Sequence, residues 1–148
     1  MARLTGGCQC GAVRFAAEIA APASICHCRM CQKASGSIFA PLVLAETVEW
    51  TRGTRSQFAS SDIASRGFCN QCGTPLTYES DQGVEIMIGA LDDPNAVDFS
   101  DQVMVGGRHK GFSGLADLPV RQASIETSGQ KIRNYQHPDR DTENEPPR

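Results

Sequence analysis

The residues of this chain best suited to chemistry are its seven cysteines, which fall into three short clusters. The clusters are Cys8-x-Cys10, Cys26-x-Cys28-x-x-Cys31 and Cys69-x-x-Cys72. Cysteines used for packing would be scattered, whereas these have the spacing of metal ligands. A closed structural zinc site takes about four thiolates, and a catalytic zinc keeps about three protein ligands and one open position. The count of seven therefore predicts one structural zinc and one catalytic zinc.

Disulfides and an iron–sulfur cluster are the alternative uses of these sulfurs. Disulfides need an oxidising compartment and normally an even number of cysteines. The residues before Cys8 contain no apolar run, so no signal peptide is predicted. An iron–sulfur cluster is also held by thiolates, but it does not account for a separate group of three. Zinc is favoured, and reduced thiols predict a cytoplasmic protein.

Length and charge limit the partners of the chain. Its 148 residues give room for one domain, and the formal net charge is -3. Zinc bound by cysteine thiolates would not make the net charge of the chain more positive. A nucleic-acid partner would need a basic face, and no segment approaches the roughly 18 apolar residues of a membrane span. These features predict a soluble protein that binds neither a nucleic acid nor a membrane.

Short apolar runs separated by turns predict a mainly β fold with few short helices. The strongest strand signal is the β-branched segment 84–91. Near the N-terminus, Val13 and Phe15 would lie on one face of a strand and Arg14 on the other. Pro41 predicts that its strand is an edge strand or contains a bulge. The two predicted helical segments are 29–34 and 95–100. The pattern indicates an antiparallel sandwich or half-barrel.

The chain is predicted to contain one domain and a tail. Residues 1–129 would form a single zinc-binding domain. Residues 130–148 carry few apolar side chains and several prolines. Such a segment cannot bury enough surface to offset its ordering entropy, so a flexible polar C-terminal tail is expected.

Spacing alone does not assign the cysteines to two sites. Cys8 and Cys10 would point to the same face of a strand. Cys69 and Cys72 would lie in a turn, in which Gly73 can adopt a positive φ. These four could close one site and leave the middle cluster as an open three-sulfur site. An alternative site would contain Cys28, Cys31, Cys69 and Cys72, leaving Cys8, Cys10 and Cys26 over.

Three motifs, in order along the chain, resemble those of the glutathione-dependent formaldehyde-activating enzyme family. They are Gly7-Cys-Gln-Cys-Gly11-x-Val13-x-Phe15, Cys26-His-Cys-x-x-Cys31 and Arg66-Gly-Phe-Cys-x-x-Cys-Gly-Thr74-x-Leu76. Centromere protein V belongs to the same superfamily. The resemblance implies a β-tent fold, with its zinc knuckles, and two Zn²⁺ ions per chain. On the family pattern, Cys8, Cys10, Cys69 and Cys72 hold the structural zinc, and Cys26, Cys28 and Cys31 hold the catalytic zinc.

The resemblance also implies an activity. The family joins glutathione to formaldehyde as S-(hydroxymethyl)glutathione, or runs the reverse carbon–sulfur cleavage. Zinc at an open thiolate site is a Lewis acid and favours the deprotonated form of a bound thiol. The chain is thus predicted to be a carbon–sulfur lyase acting on a small thiol, with glutathione favoured, and a small aldehyde. The alternative is a non-catalytic zinc module that binds a protein or a small thiol.

Other residues near the motifs have two interpretations each. His27 lies between two predicted ligands and could be a fourth ligand or a general base. Because it would point away from both ligands, a surface histidine or one that supports the ligands is favoured. Arg29 and Lys33 could meet the carboxylates of glutathione or form a solvated face. Arg66 could orient the second knuckle or bind an anion. The loop 106–114 would be a flap over the open zinc or a mobile surface loop.

Overall fold

A computed structural model describes residues 2–124 and 128–142. Within these residues it contains one sheet, one short α-helix and several 3₁₀ turns, which confirms the mainly β prediction. The strands are β1 (Ala2–Gly7), β2 (Arg14–Ile19), β3 (Ala23–Cys26), β4 (Ala40–Arg52), β5 (Ser56–Ala59), β6 (Ala64–Phe68), β7 (Pro75–Ser80), β8 (Gly83–Met87) and β9 (Phe99–Val103). The α-helix α1 is Arg29–Ser35, and the 3₁₀ helices are Ile88–Ala90, Pro94–Ala96, Val105–Gly107 and Phe112–Asp117.

The sheet is built around the long strand β4. The main strand order is β1-β2-β4-β8-β7-β6-β5, and β3 pairs with both β4 and β9. All pairs are antiparallel except β3 with β9. Pro41 lies opposite Ile25 of β3, and pairing of β4 with β8 begins at Leu42. The prediction of an edge strand at Pro41 is therefore wrong, since β4 is central and the proline lies just outside its pairing with β8.

The core is formed by apolar side chains from several strands of this sheet. The side chains of Phe15, Leu76 and Ile86 are fully buried. The edge of the Phe15 ring contacts Trp50, with ring centroids 6.0 Å apart. A Cβ atom at Gly6 would lie 2.6 Å from the Phe15 ring and 2.3 Å from the carbonyl oxygen of residue 90. A glycine is thus required where β1 passes over the core.

Arg14 is buried, although the sequence pattern places it on the opposite strand face from the apolar Val13 and Phe15. Its guanidinium donates two hydrogen bonds of 2.7 and 2.6 Å to the Asp92 carboxylate and a third, of 2.8 Å, to Asp141. Thr5 also donates to Asp92, at 2.6 Å. Burial opposes ionisation of Asp92, but the hydrogen bonds from Arg14 hold the pKa of this carboxyl below its usual range. The buried arginine is tolerated because this carboxylate pairs with it.

The last described residues contact the β1–β2 hairpin. The His137 N–H donates to the carbonyl oxygen of Gln9 at 2.7 Å, and Arg52 donates to the carbonyl oxygen of Thr142 at 2.6 Å. Thr142 is buried by these contacts. The domain boundary at residue 129 stays a prediction, and residues 143–148 lie outside the described residues. No helix in the described part of the chain is long and apolar enough to cross a membrane.

Two phenylalanine-to-alanine variants compare what the core and the sheet edge contribute to stability. Phe15 is fully buried, whereas Phe58 on β5 is 64% exposed. We expect Phe15→Ala to lower the free energy of unfolding by about 3–5 kcal/mol, because the change leaves a cavity among packed side chains. Phe58→Ala should change it by about 0.5 kcal/mol or less. Urea denaturation of the two variants measures this difference, and similar losses in both would contradict the described core.

Candidate functional site

Four of the cysteines lie in two hairpin turns, each of which ends at a glycine. Cys8 and Cys10 follow β1, and Cys69 and Cys72 follow β6. In each turn the first cysteine carbonyl accepts a hydrogen bond from a glycine N–H, at 3.0 Å for Gly11 and 2.9 Å for the later glycine. Both glycines have φ of +79°. The positive φ predicted for Gly73 is thus confirmed, and Gly11 has the same role in the first turn.

The two turns bring their sulfurs into one cluster. The sulfur atoms of Cys8, Cys10, Cys69 and Cys72 all lie within 4.8 Å of one another. The strand geometry expected for the first pair is wrong, since both residues lie in the turn after β1. Their sulfurs still meet, at 3.5 Å, because the turn folds back at Gly11.

The remaining three cysteines form a second cluster where β3 leads into α1. Cys26 is the last residue of β3, Cys28 caps the N-terminus of α1, and Cys31 lies in its first turn. Their sulfurs lie within 4.8 Å of one another. The Cys28 sulfur accepts a hydrogen bond of 3.3 Å from the Cys31 N–H. Among the described residues, the alternative grouping of the Cys28 and Cys31 sulfurs with those of the β6–β7 turn is not formed.

The geometry of the four-sulfur cluster fits zinc. Four sulfurs about 2.3 Å from a tetrahedral zinc would be about 3.8 Å apart. The sulfur of Cys10 lies 3.5 Å from that of Cys8 and 3.9 Å from that of Cys69. Backbone N–H groups also donate to these sulfurs, from Val13 to Cys8 at 3.2 Å and from Gln71 to Cys69 at 3.4 Å. Such donors stabilise the thiolate form, which is the form that binds metal.

Proton affinities differ sharply within both clusters. Burial raises the pKa of Cys8 to about 12. Burial also acts on Cys72, but hydrogen bonds with Thr74 and Cys10 together outweigh it and lower the pKa of this thiol to about 6. In the second cluster, burial raises the pKa of Cys26 to about 12. Burial also acts on Cys28, but hydrogen bonds centred on Cys31 lower its pKa. Buried, crowded sulfurs of this kind become thiolates together only beside a positive charge, which a bound metal ion provides.

The three-sulfur cluster lines a cavity of about 250 Å³. One wall is Arg66, which is 9% exposed and whose Nη2 lies 3.4 Å from the Cys31 sulfur. Its guanidinium also lies over the Tyr78 ring, 5.0 Å from the centroid. Glu85 is a further lining residue. No sequence pattern indicates Tyr78 or Glu85 as site residues, because their position depends on the register of the sheet.

His27 is buried, and it does not line this cavity. Its ring packs edge-on against Phe39 and Phe112, and its Nε2 lies 3.0 Å from the side-chain oxygen of Gln102. The prediction of a surface histidine is therefore wrong, and the alternative, a histidine that supports the neighbouring ligands, agrees with this position. A Cβ at Gly107 would lie 2.4 Å from the His27 carbonyl oxygen, so the following loop can approach only as glycine.

The loop 106–114 packs on α1 and His27 rather than over the sulfurs. Gln32 of α1 donates to the carbonyl oxygen of Gly107 at 2.9 Å, and Phe112 contacts the His27 ring. The cavity is lined instead by Val103 and Met104, which come just before this loop in the chain. The interpretation as a flap over the three-sulfur site is not supported by these contacts.

Known proteins resemble this chain in sequence and in fold. A Schizosaccharomyces pombe protein described as an uncharacterized lyase is 32% identical over 85 residues, which span 56% of this chain and 62% of that protein. The chain thus matches less than two thirds of that relative's length. The crystal structure of a Rhodobacter sphaeroides protein superposes with a TM-score of 0.52 at 20% identity, covering 68% of this chain and all of the other. This likeness shows a common fold.

The family assignment follows from the match to the whole cysteine-bearing region. The model of the glutathione-dependent formaldehyde-activating enzyme family matches residues 3–105. This range contains both sulfur clusters, the strands that carry them and Arg66. With well over half of its length matched in this way, the chain belongs to the glutathione-dependent formaldehyde-activating enzyme family.

Proposed function

We propose that the chain is a zinc-dependent carbon–sulfur lyase that joins a thiol to a small aldehyde or cleaves the adduct. The observation that carries this proposal is the three-sulfur cluster, whose cysteines all line one cavity beside a buried arginine. Membership of the formaldehyde-activating family and the similarity to a lyase support the same reaction class.

The proposed metal ions are two zincs with different tasks. Cys8, Cys10, Cys69 and Cys72 would hold one ion in a closed site that joins two hairpins. Cys26, Cys28 and Cys31 would hold the other and leave one position for a ligand. When bound there, zinc would supply a Lewis acid and would favour the thiolate form of a substrate. Unpaired cysteines also support a reducing, cytoplasmic compartment.

The proposed thiol carries carboxylates, and glutathione is the first candidate. A groove of about 380 Å³ adjoins the cavity and shares Met30 and Arg66 with it. Arg29 and Lys33 also line this groove, together with the exposed ring of Phe58. Cations beside an apolar floor suit a flexible anionic molecule whose sulfur reaches the three-sulfur site. This arrangement supports the interpretation of Arg29 and Lys33 as contacts for carboxylates.

Replacing one cysteine of each cluster separates stability from chemistry. We expect Cys72→Ser to lower the melting temperature strongly or to cause aggregation, because a structural zinc contributes folding free energy, on the order of 10 kcal/mol in small zinc modules and less in a domain with its own core. Cys28→Ser should keep its fold but bind about one zinc per chain, where the wild type binds about two. Elemental analysis and thermal unfolding measure both effects. Equal losses of melting temperature would argue that both sites are structural.

A cobalt-substituted protein reports which cluster meets the thiol. Adding glutathione should change the visible spectrum of cobalt at the three-sulfur site, because entry of a thiolate alters the ligand field. The closed four-sulfur site should not respond. Cys28→Ser should remove the response and leave the four-sulfur spectrum intact.

Turnover is best measured in the cleavage direction, because thiols add to formaldehyde readily without a catalyst. The zinc protein should accelerate decay of S-(hydroxymethyl)glutathione above background, and Cys28→Ser should remove this acceleration. No spectral response and no acceleration would exclude glutathione as substrate. Failure of a panel of other thiols and aldehydes would favour the alternative, a zinc module that binds without catalysis.

A further inference from the structure

Three residues form a row across neighbouring strands beside the three-sulfur cluster. Arg66 of β6 lies opposite Tyr78 of β7, and Tyr78 lies opposite Glu85 of β8. Side chains at directly opposite positions of antiparallel strands point to the same face, with Cβ atoms about 4.5–5.5 Å apart. All three residues line the cavity that contains Cys26, Cys28 and Cys31. The sheet register therefore places one carboxyl group on the cavity wall.

Arg66 directs its charge toward the sulfurs and leaves this carboxyl unpaired. Its Nη2 donates to the Cys31 sulfur at 3.4 Å, and its guanidinium lies over the Tyr78 ring. Within the described part of the chain, Arg66 makes no ion pair within 4.0 Å. The cation therefore favours negative charge at the sulfurs and in the space in front of them.

Glu85 is half-buried and makes no side-chain hydrogen bond or ion pair with residues 2–124 or 128–142. Its carboxyl is not part of the group of ligand atoms within 4.8 Å of one another, which is restricted to the three sulfurs. Glu85 thus shares the cavity with the sulfurs without being a ligand there. A carboxyl in this position is free to exchange a proton with a molecule that fills the cavity.

The surroundings of Glu85 suit a base. Burial raises the pKa of this carboxyl, and the charge of Arg66 on β6 opposes the rise. The other titratable groups around the cavity are Tyr78 on β7 and the three thiols of β3 and α1. Strand β4 presents apolar side chains, with Leu44 directly opposite Glu85 and Leu42 lining the cavity. A carboxyl whose pKa is raised above its usual range is a stronger base than one in water.

We propose that Glu85 is the catalytic acid–base residue, which takes the hydroxyl proton of the hemithioacetal during cleavage and returns it during synthesis. This inference rests on the proposed function. In cleavage, the O–H electrons form the carbonyl double bond, the carbon–sulfur bond breaks, and its electron pair leaves with sulfur. The carboxylate becomes a neutral acid and the thiol leaves as a thiolate, so charge is conserved. In synthesis the thiolate attacks the carbonyl carbon, and the neutral Glu85 protonates the resulting oxygen.

Besides the three proposed ligand thiols, the other described acid–base side chain at the cavity is Tyr78, whose ring lies under the Arg66 guanidinium, 5.0 Å from the centroid. The neutral phenol is a weaker base than the Glu85 carboxylate. The buried His27 does not line the cavity, and the exposed His109 accepts a hydrogen bond from the Gly111 N–H in the later loop. Glu85 carries the one carboxyl group among the described residues that line the cavity. Arg66 is a positioning residue for the negative charge on sulfur.

The test is Glu85→Gln in the zinc-loaded protein, with Glu46→Gln as the matched control. Glu46 is exposed on β4, away from the cavity. We expect Glu85→Gln to lower kcat for cleavage of S-(hydroxymethyl)glutathione by about 100-fold or more, with little change in KM, since the amide cannot accept the proton. Zinc content and melting temperature should stay at their wild-type values. Glu46→Gln should leave all of these values unchanged.

The pH profile supplies a readout that a structural role would not produce. Cleavage needs the carboxylate, so wild-type kcat should fall as pH drops through the pKa of Glu85, and this acid limb should disappear in Glu85→Gln. Infrared spectra of the zinc protein should contain a protonated-carboxyl band that titrates over the same range and is absent from the variant.

Unchanged kcat and an unchanged acid limb in Glu85→Gln would overturn the inference and leave the proposed function standing. Loss of zinc from Glu85→Gln would also overturn it, by making Glu85 part of the metal site. Absence of wild-type turnover with every substrate would refute the proposed function and this role with it.

Discussion

The convergence of two hairpin turns on four sulfur atoms is the constraint that shapes the rest of this fold. Strands β2 and β7 are separated in the sheet by β4 and β8. Three strand spacings of about 4.8 Å would hold them about 14 Å apart in a flat sheet. The sulfurs carried by their hairpins nevertheless lie within 4.8 Å of one another. The ends of the hairpins must therefore curve together, and the turns need positive φ at Gly11 and Gly73 to aim the sulfurs at a common point.

This curvature also forms the second site. Of the strands between the two turns, β4 pairs with β3, which leads into α1 and the other three cysteines. Both β4 and β8 contribute residues to the cavity, Leu42 and Glu85. The row from Arg66 to Glu85 crosses β6, β7 and β8 and ends at Leu44 of β4. A shift of β8 by one residue would move Glu85 to the opposite face of the sheet and remove it from the cavity. The register that the four-sulfur cluster helps to hold is thus the register that brings the acid–base group to the three sulfurs.

The sequence predicted the groups of cysteines because cysteine spacing is a local property. Short turns and a strand-to-helix junction need no knowledge of the distant chain, so the three groups and the positive φ of Gly73 could be predicted. The surroundings of those groups could not. The burial of Arg14 depends on Asp92, far away in sequence, and that of His27 on Phe112 in a late loop. Strand β9, predicted in part as a helix, exists because it pairs in parallel with β3. Glu85 belongs to the strongest predicted strand, yet only the pairing of that strand determines which face it occupies.

The two sulfur clusters differ in what remains available once their own ligands are counted. Four sulfurs would complete a tetrahedron around a bound zinc, and the backbone donors of the two turns stabilise their negative charge. The first cluster would then have no position for a substrate. The second cluster has three sulfurs, one cationic neighbour and a cavity with a carboxyl on its wall. Arg66 offsets part of the negative charge of this cluster through the contact with Cys31, and in our proposal the proton that a carbon–sulfur cleavage must release has an acceptor in Glu85. The proposed chemistry therefore belongs to the cluster whose coordination would be incomplete, and zinc in the other cluster would join the hairpin that carries Arg66 to the β1–β2 hairpin.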